Sequence, residues 1–294
     1  MPMTHRRAVL TMVAVTLMWS IAGVVSRHIE AARGFEVTFW RSFFNAVAMA
    51  LLLGVLRGPA KLARSLREGG RTLWLSGVCW GVMYTAFMLA LTLTTVANVL
   101  VLIALTPLIT ALAARFALCH RLAARTWGAI VLAGAGIVWM YAREVSGADA
   151  RQLLGMAIGL AVPLAAALNW TLMQHNRGAA RQDMLPAVLI GALLSALATV
   201  VPALPFVATA ADLGLLALLG VVQLAIPCLL AVVVARSLSA PEISLLGLLE
   251  VIFGVLWAWL GANEAPSASV LAGGALVLAA LAGNELLALR ERRL

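Results

Sequence analysis

Ten apolar stretches, each long enough to cross a bilayer, fill this chain, and the second five echo the first five. Backbone N–H and C=O groups in hydrocarbon have no water to bond, so a spanning segment must be a helix or a strand of a closed barrel. The stretches run on for about 20 residues, the length a helix rising ~1.5 Å per residue needs to cross ~30 Å of hydrocarbon. They lack the strict alternation of barrel strands. The sequence predicts an all-α membrane protein: ten transmembrane helices in two five-helix repeats around a central cavity. A repeat with an odd number of spans places the second half upside down relative to the first. The halves are predicted as residues 1–145 and 146–294.

Composition fits this. The chain of 294 residues is 63% apolar and 11% charged, against about 45–50% and about 25% for soluble domains. Ten spans use about 200 residues, which leaves short connections and no soluble domain. The net charge of +9 does not point to nucleic acid, because the charges sit almost entirely between spans. Cys79, Cys119 and Cys228 form neither a disulfide framework nor a metal-ligand spacing. His5, Arg6 and Arg7 precede an apolar run like a signal peptide's, but the run has span length and no convincing cleavage site, so it is read as an uncleaved first helix.

The predicted spans are Ala8–Arg27, Val37–Leu56, Leu73–Leu93, Asn98–Leu118, Thr126–Ala142, Leu153–Gln174, Leu185–Val207, Leu213–Ala235, Pro241–Ala262 and Ser269–Leu289. In this assignment sixteen of the 21 Lys and Arg fall on the side of the N-terminus. The other five are Arg27, Arg33, Arg41, Arg143 and Arg151. The positive-inside rule then puts both termini in the cytoplasm.

The repeat shows in two places. Val96 to Pro107 aligns without gaps on Ala240 to Val251 at an offset of 144, each opening the fourth helix of its half after a tight connection. Gly128 to Ala133 aligns on Gly274 to Ala279 at an offset of 146. On these residues the chain resembles the drug/metabolite transporter superfamily in its EamA-type ten-helix form. Thr106-Pro107 keeps the family's Thr-Pro late in the fourth helix. Glu250 keeps the acid of its Glu-Pro counterpart, with Val251 in place of the proline. Glu264 keeps the trailing acid of the second half, where the first half has His120. Within the superfamily the pattern is similar to the bacterial aromatic amino-acid exporters. The resemblance implies a transporter, with spans one, three, four, six, eight and nine around the cavity and the fifth and tenth outside. Export as the direction rests on it alone.

Glu250 stands alone near the middle of the ninth span. A charge there costs about 2.5–3.5 kcal/mol on insertion scales, so it should face the interior, either as a structural acid or as a contact for a solute ammonium or a coupling proton. Gln223 lies four residues before Pro227, whose missing N–H frees a carbonyl nearby. Pro107 and Pro163 are expected to kink the fourth and sixth spans in the same way, which serves either packing or a cavity wall. Trp19, Trp80 and Tyr84 fall at mid-span depth, whereas Trp and Tyr usually mark the interfaces. Trp80 and Tyr84 share a helical face, and Trp170 joins them from the sixth span. These residues read as cavity lining or as helix packing. The predicted solute-binding set is Trp19, Tyr84, Gln223 and Glu250, with Trp80, Thr106 and Trp170. Leu53 is expected to face lipid. Asn98 and Glu242 are expected to cap their helices. Ala129 and Ala133, with Ala275, Ala279 and Gly283, form small-residue stripes suited to scaffold or dimer packing.

The function predicted is an inner-membrane secondary transporter exporting small, largely apolar metabolites, chiefly aromatic or other hydrophobic amino acids. A multidrug exporter of the same superfamily is one alternative. Another is an intramembrane enzyme acting on lipid or peptide, but His5, His28, His120 and His175 all lie at span ends and no nucleophile motif occurs. No Walker motif is present. No cofactor or metal is predicted; the partners are a small solute and the bilayer, with the chain a monomer or homodimer. No Arg or Lys is placed at mid-membrane depth, so phosphorylated or multiply anionic solutes are disfavoured.

Overall fold

The computed structural model describes residues 3–117, 123–141, 149–178 and 182–262, and beyond these positions 265, 268–269, 271–273, 275–276, 279–280, 283 and 287. Among the described residues the regular structure is helical throughout. The first three spans are α1 (His5–Ser26), α2 (Phe35–Arg57) and α4 (Arg71–Leu93). Between the last two lies a short surface helix, α3 (Pro59–Arg67), not foreseen in the sequence. Gly58, at φ +81°, ends α2 and lets Pro59 open α3. That conformation is open to glycine and strained for other residues.

The fourth span is broken into α5 (Val96–Ile103) and α6 (Thr106–Ala117). The fifth is α7 (Ala124–Tyr141), and the sixth is α8 (Ala150–Gly159) with α9 (Ala161–Gly178). The seventh, α10 (Leu185–Val200), is shorter than expected. It stops before Pro202 and Pro205, which cannot continue a helix. The eighth span comprises α11 (Ala210–Leu218), a π-helical turn over Leu219–Ala225, and α12 (Ile226–Val234). The ninth is α13 (Ala240–Gly247) with α14 (Leu249–Ala262).

Local chemistry explains the breaks. Pro107 and Pro163 fall in the first turn of the segment after an interruption, and Pro227 in the first turn after the π-helical turn, positions that tolerate a missing N–H. Pro107 would leave the Ile103 carbonyl without a donor, and Thr106 Oγ1 donates to it instead. The ninth span breaks at Leu248, which matches Ala104 at the offset of 144, although it has no proline there. The starts match as well. Thr95 accepts from Asn98 N at the head of α5, and Ser239 accepts from Glu242 N at the head of α13. Glu242 completes a capping box. Asn98 instead turns its amide to Thr94.

Packing repeats under exchange of the halves. The first span packs on the ninth as the fourth does on the sixth, and the third on the seventh as the second does on the eighth. Gly77 and Gly81 meet Gly191 where α4 crosses α10, so close that a Cβ on Gly191 would lie 2.4 Å from Trp80 Cβ. Two buried carboxylates tie segments distant in sequence together at one end. Asp212 accepts from the backbone N–H groups of Glu30, Ala31 and Ala32, at 2.9, 3.0 and 3.1 Å. Glu36 accepts from those of Val207 and Ala208, both at 2.9 Å. At the other end Asp183 pairs with Arg57 and with Arg236.

The outside of the bundle is apolar. Val55 is 85% exposed and Leu197 69%, which suits hydrocarbon and not water. Leu53, expected to face lipid, is instead fully buried; on α2 the outward residues are Leu51 and Val55. The small-residue stripes also resolve differently. Gly136 of α7 meets the backbone of Gly273 in the tenth span, while Ala275 and Ala279 lie on the exposed side. The predicted boundary between the halves at 145/146 lies outside the described residues, as do Cys119, His120, Arg143 and Glu264.

Candidate functional site

A cavity of about 100 Å³ lies between the helices. Its walls come from α1, α4, the break between α5 and α6, α9, the eighth span and the ninth span. These are spans one, three, four, six, eight and nine. All seven residues of the predicted set lie on its wall: Trp19, Trp80, Tyr84, Thr106, Trp170, Gln223 and Glu250. Met12, Met83, Phe87, Leu224, Cys228 and Ser244 complete much of the remainder.

The aromatic side is ordered. Trp80 stacks on Tyr84 with ring centroids 5.6 Å apart, and meets Trp170 edge-on at 5.7 Å. Such pairs favour offset or edge geometry and add rigidity to a wall. The buried hydroxyl of Tyr84 faces the side chains of Cys228 and Asn45, and the Nε1–H of Trp80 is buried without a hydrogen-bond partner. Polar atoms in that condition are uncommon in folded proteins and point to a site. Glu250 sits at the start of α14, immediately after the break, and is almost fully buried.

One residue overturns a sequence expectation. Arg41, counted above among the charges on the side away from the N-terminus, does not face water. It sits inside α2, 1% exposed, at the centre of the molecule. Its Nε and Nη2 donate to Gln223 Oε1 at 3.2 and 2.8 Å, and its Nη1 approaches the Tyr84 carbonyl at 3.4 Å. Its guanidinium lies 5.5 Å from the centre of the Phe87 ring, a cation–π distance. Glu250 interacts with it electrostatically, without a direct ion pair. The supposed lack of a mid-membrane cation therefore fails, and so does the argument against anionic groups built on it. A signal was present: Thr38, Arg41, Ser42 and Asn45 recur at helical spacing, and all four are buried. A polar stripe within an apolar span marks an inward face.

Gln223 owes its placement to the π-helical turn, which widens the helix and rotates this side chain inward. Its Nε2 donates to the Trp19 carbonyl at 3.1 Å. One side chain thus connects α1, α2 and the eighth span. Trp19 itself is half-buried and Ser20, beside it, accepts from Trp257 Nε1.

The apolar exterior defines a multi-pass membrane protein, and the cavity within is its candidate site. Residues 6–142 match the model of the EamA-like transporter family. That stretch, a little under half of the chain, is thus similar to a family of membrane transporters. A solved crystal structure superposes on nearly the whole chain with a TM-score of 0.77, covering 98% of this chain and 99% of that one at 19% identity. At that identity the likeness speaks for the fold. No curated protein matches the sequence.

Proposed function

We propose that this protein is a secondary transporter that exports small, largely apolar organic solutes by alternating access, amino acids with aromatic or other hydrophobic side chains foremost. The observation that carries the reading is the cavity: six spans converge on it, and its wall combines aromatic and aliphatic surface with a few polar groups. Apolar lining with sparse, placed polar atoms is the usual form of a small-molecule site. Stacked Trp80 and Tyr84 suit an aromatic or aliphatic side chain. Glu250 is positioned to meet an ammonium or to carry a coupling proton.

The reading of the chain as two inverted repeats underlies the alternating-access part. The packing pairs exchange between halves, and the helix breaks at Ala104 and Leu248 match at one offset. Such repeats place the solute between the halves near midplane, often beside broken helices. The charge asymmetry supports an orientation with both termini cytoplasmic. Counterflow into liposomes of purified protein tests the reading, with labelled phenylalanine, leucine, a nucleoside and a cationic drug. Exchange of the amino acids alone is the expected result. Exchange of the drug alone favours a multidrug exporter, and movement only of phosphorylated solutes refutes the substrate class.

A further inference from the structure

We infer that Arg41 is a positioning residue that turns one wall of the cavity into a receptor for a carboxylate. The inference rests on the reading of the cavity as the solute site. Arginine carries five N–H donors and no acceptor. It can face only the oxygen of the Gln223 carboxamide, and two of its donors do so. The amide is thereby fixed: its oxygen is committed to Arg41, and its nitrogen is directed to the Trp19 carbonyl and the cavity. One Nε2–H is used by Trp19, and the second remains for a solute. Gln223 therefore presents a donor, where an unconstrained glutamine could present either group.

Two further donors belong to residues that line the cavity. Trp80 Nε1–H lacks a partner, the Tyr84 hydroxyl faces only the neutral side chains of Cys228 and Asn45, and Tyr84 is the residue whose carbonyl Arg41 also approaches. The guanidinium itself is buried and bonded only to neutral oxygens. A buried cation with no anion in contact is costly, and apolar walls let its field reach through one side chain into the cavity. The wall therefore offers donors backed by a positive charge. Glu250, on the ninth span, offers the opposite charge. A solute with one carboxylate and one ammonium matches both poles; a solute lacking the carboxylate leaves the donors unpaired.

The test uses full-length protein in lipid nanodiscs and two ligands that differ in that group, phenylalanine and phenethylamine. The wild type is expected to prefer phenylalanine by roughly ten- to a hundredfold, the range of hydrogen bonds to charged groups. Gln223→Met and Arg41→Gln are expected to bring the ratio of the two affinities close to one, with phenethylamine affinity little changed. A general loss of packing would weaken both ligands together and leave the ratio alone. Gln223→Met removes the donor even if Arg41→Gln does not fold. A wild-type ratio retained in Gln223→Met overturns the inference while leaving the transport reading intact. If the wild type binds neither ligand, both readings fail.

Discussion

Replacing Gly220 by alanine is expected to disconnect Arg41 from Gln223 without touching either side chain. Gly220 lies in the π-helical turn, against the backbone of α2. A Cβ there would stand 2.6 Å from Phe44 Cβ, 2.7 Å from the Arg41 carbonyl oxygen and 2.9 Å from the Asn45 nitrogen. Ordinary contact begins at 3.4 Å, so the two helices must part by roughly 0.7 Å at this crossing, because all three atoms belong to rigid positions. The cost of such overpacking is about 1–3 kcal/mol. Moving α2 outward by that distance stretches the shorter bond from Arg41 to Gln223, now 2.8 Å, to the edge of hydrogen bonding. A hydrogen bond to a charged group contributes about 1.5–3 kcal/mol, so solute affinity should fall by tenfold or more.

The assay is thermal unfolding of the purified protein together with ligand affinity. Gly214→Ala is the control: it lies on the same span, in α11, with nothing within 4 Å of the added carbon. Gly220→Ala should melt at a lower temperature than Gly214→Ala and bind solute less tightly. Equal melting and equal affinity for the two variants would refute the claim that this helix crossing holds the Arg41–Gln223 link in place.

Tyr84→Ala and Trp19→Ala should cut solute uptake into liposomes by tenfold or more while yields of folded protein stay near wild type, with lipid-facing Val55→Ala unaffected; comparable transport in all three would remove the cavity assignment. Glu250→Gln preserves shape and removes the titratable group, so transport should lose its pH dependence; an unaltered pH profile at the wild-type rate makes Glu250 structural. Asp183→Asn leaves Arg57 and Arg236 facing each other, and stability should drop by about 1 kcal/mol, in keeping with a partly exposed network, with the deficit shrinking at high salt; a salt-independent deficit would point to packing instead. A cysteine replacing Arg64 in α3 should resist impermeant thiol reagents applied to intact cells, and labelling from outside would reverse the orientation.

The spans were legible because hydrocarbon leaves the backbone few options. The cavity residues were legible because depth and polarity conflict: Glu250, Gln223 and Tyr84 have no reason to sit mid-span unless something polar awaits them. The proline positions gave three helix breaks, since a missing N–H has a local consequence. The fourth break, at Leu248, has no such cause in its own segment and was not legible.

Arg41 was misplaced for a related reason. Counting charges by side assigns an arginine near a span end to that end even when it lies inside the predicted span, and Arg41 is only six residues past the start of α2. What holds it inside is a partner 182 positions away, in a turn whose π geometry no spacing rule announces. A single residue read by its depth therefore gave the wrong environment. The same residue read with Thr38, Ser42 and Asn45 as one face of one helix gives the right one, because four polar groups on a shared face can be satisfied only by the interior of the bundle. In a chain this apolar, the face on which a polar residue lies is a stronger guide to its role than its distance from the nearest loop.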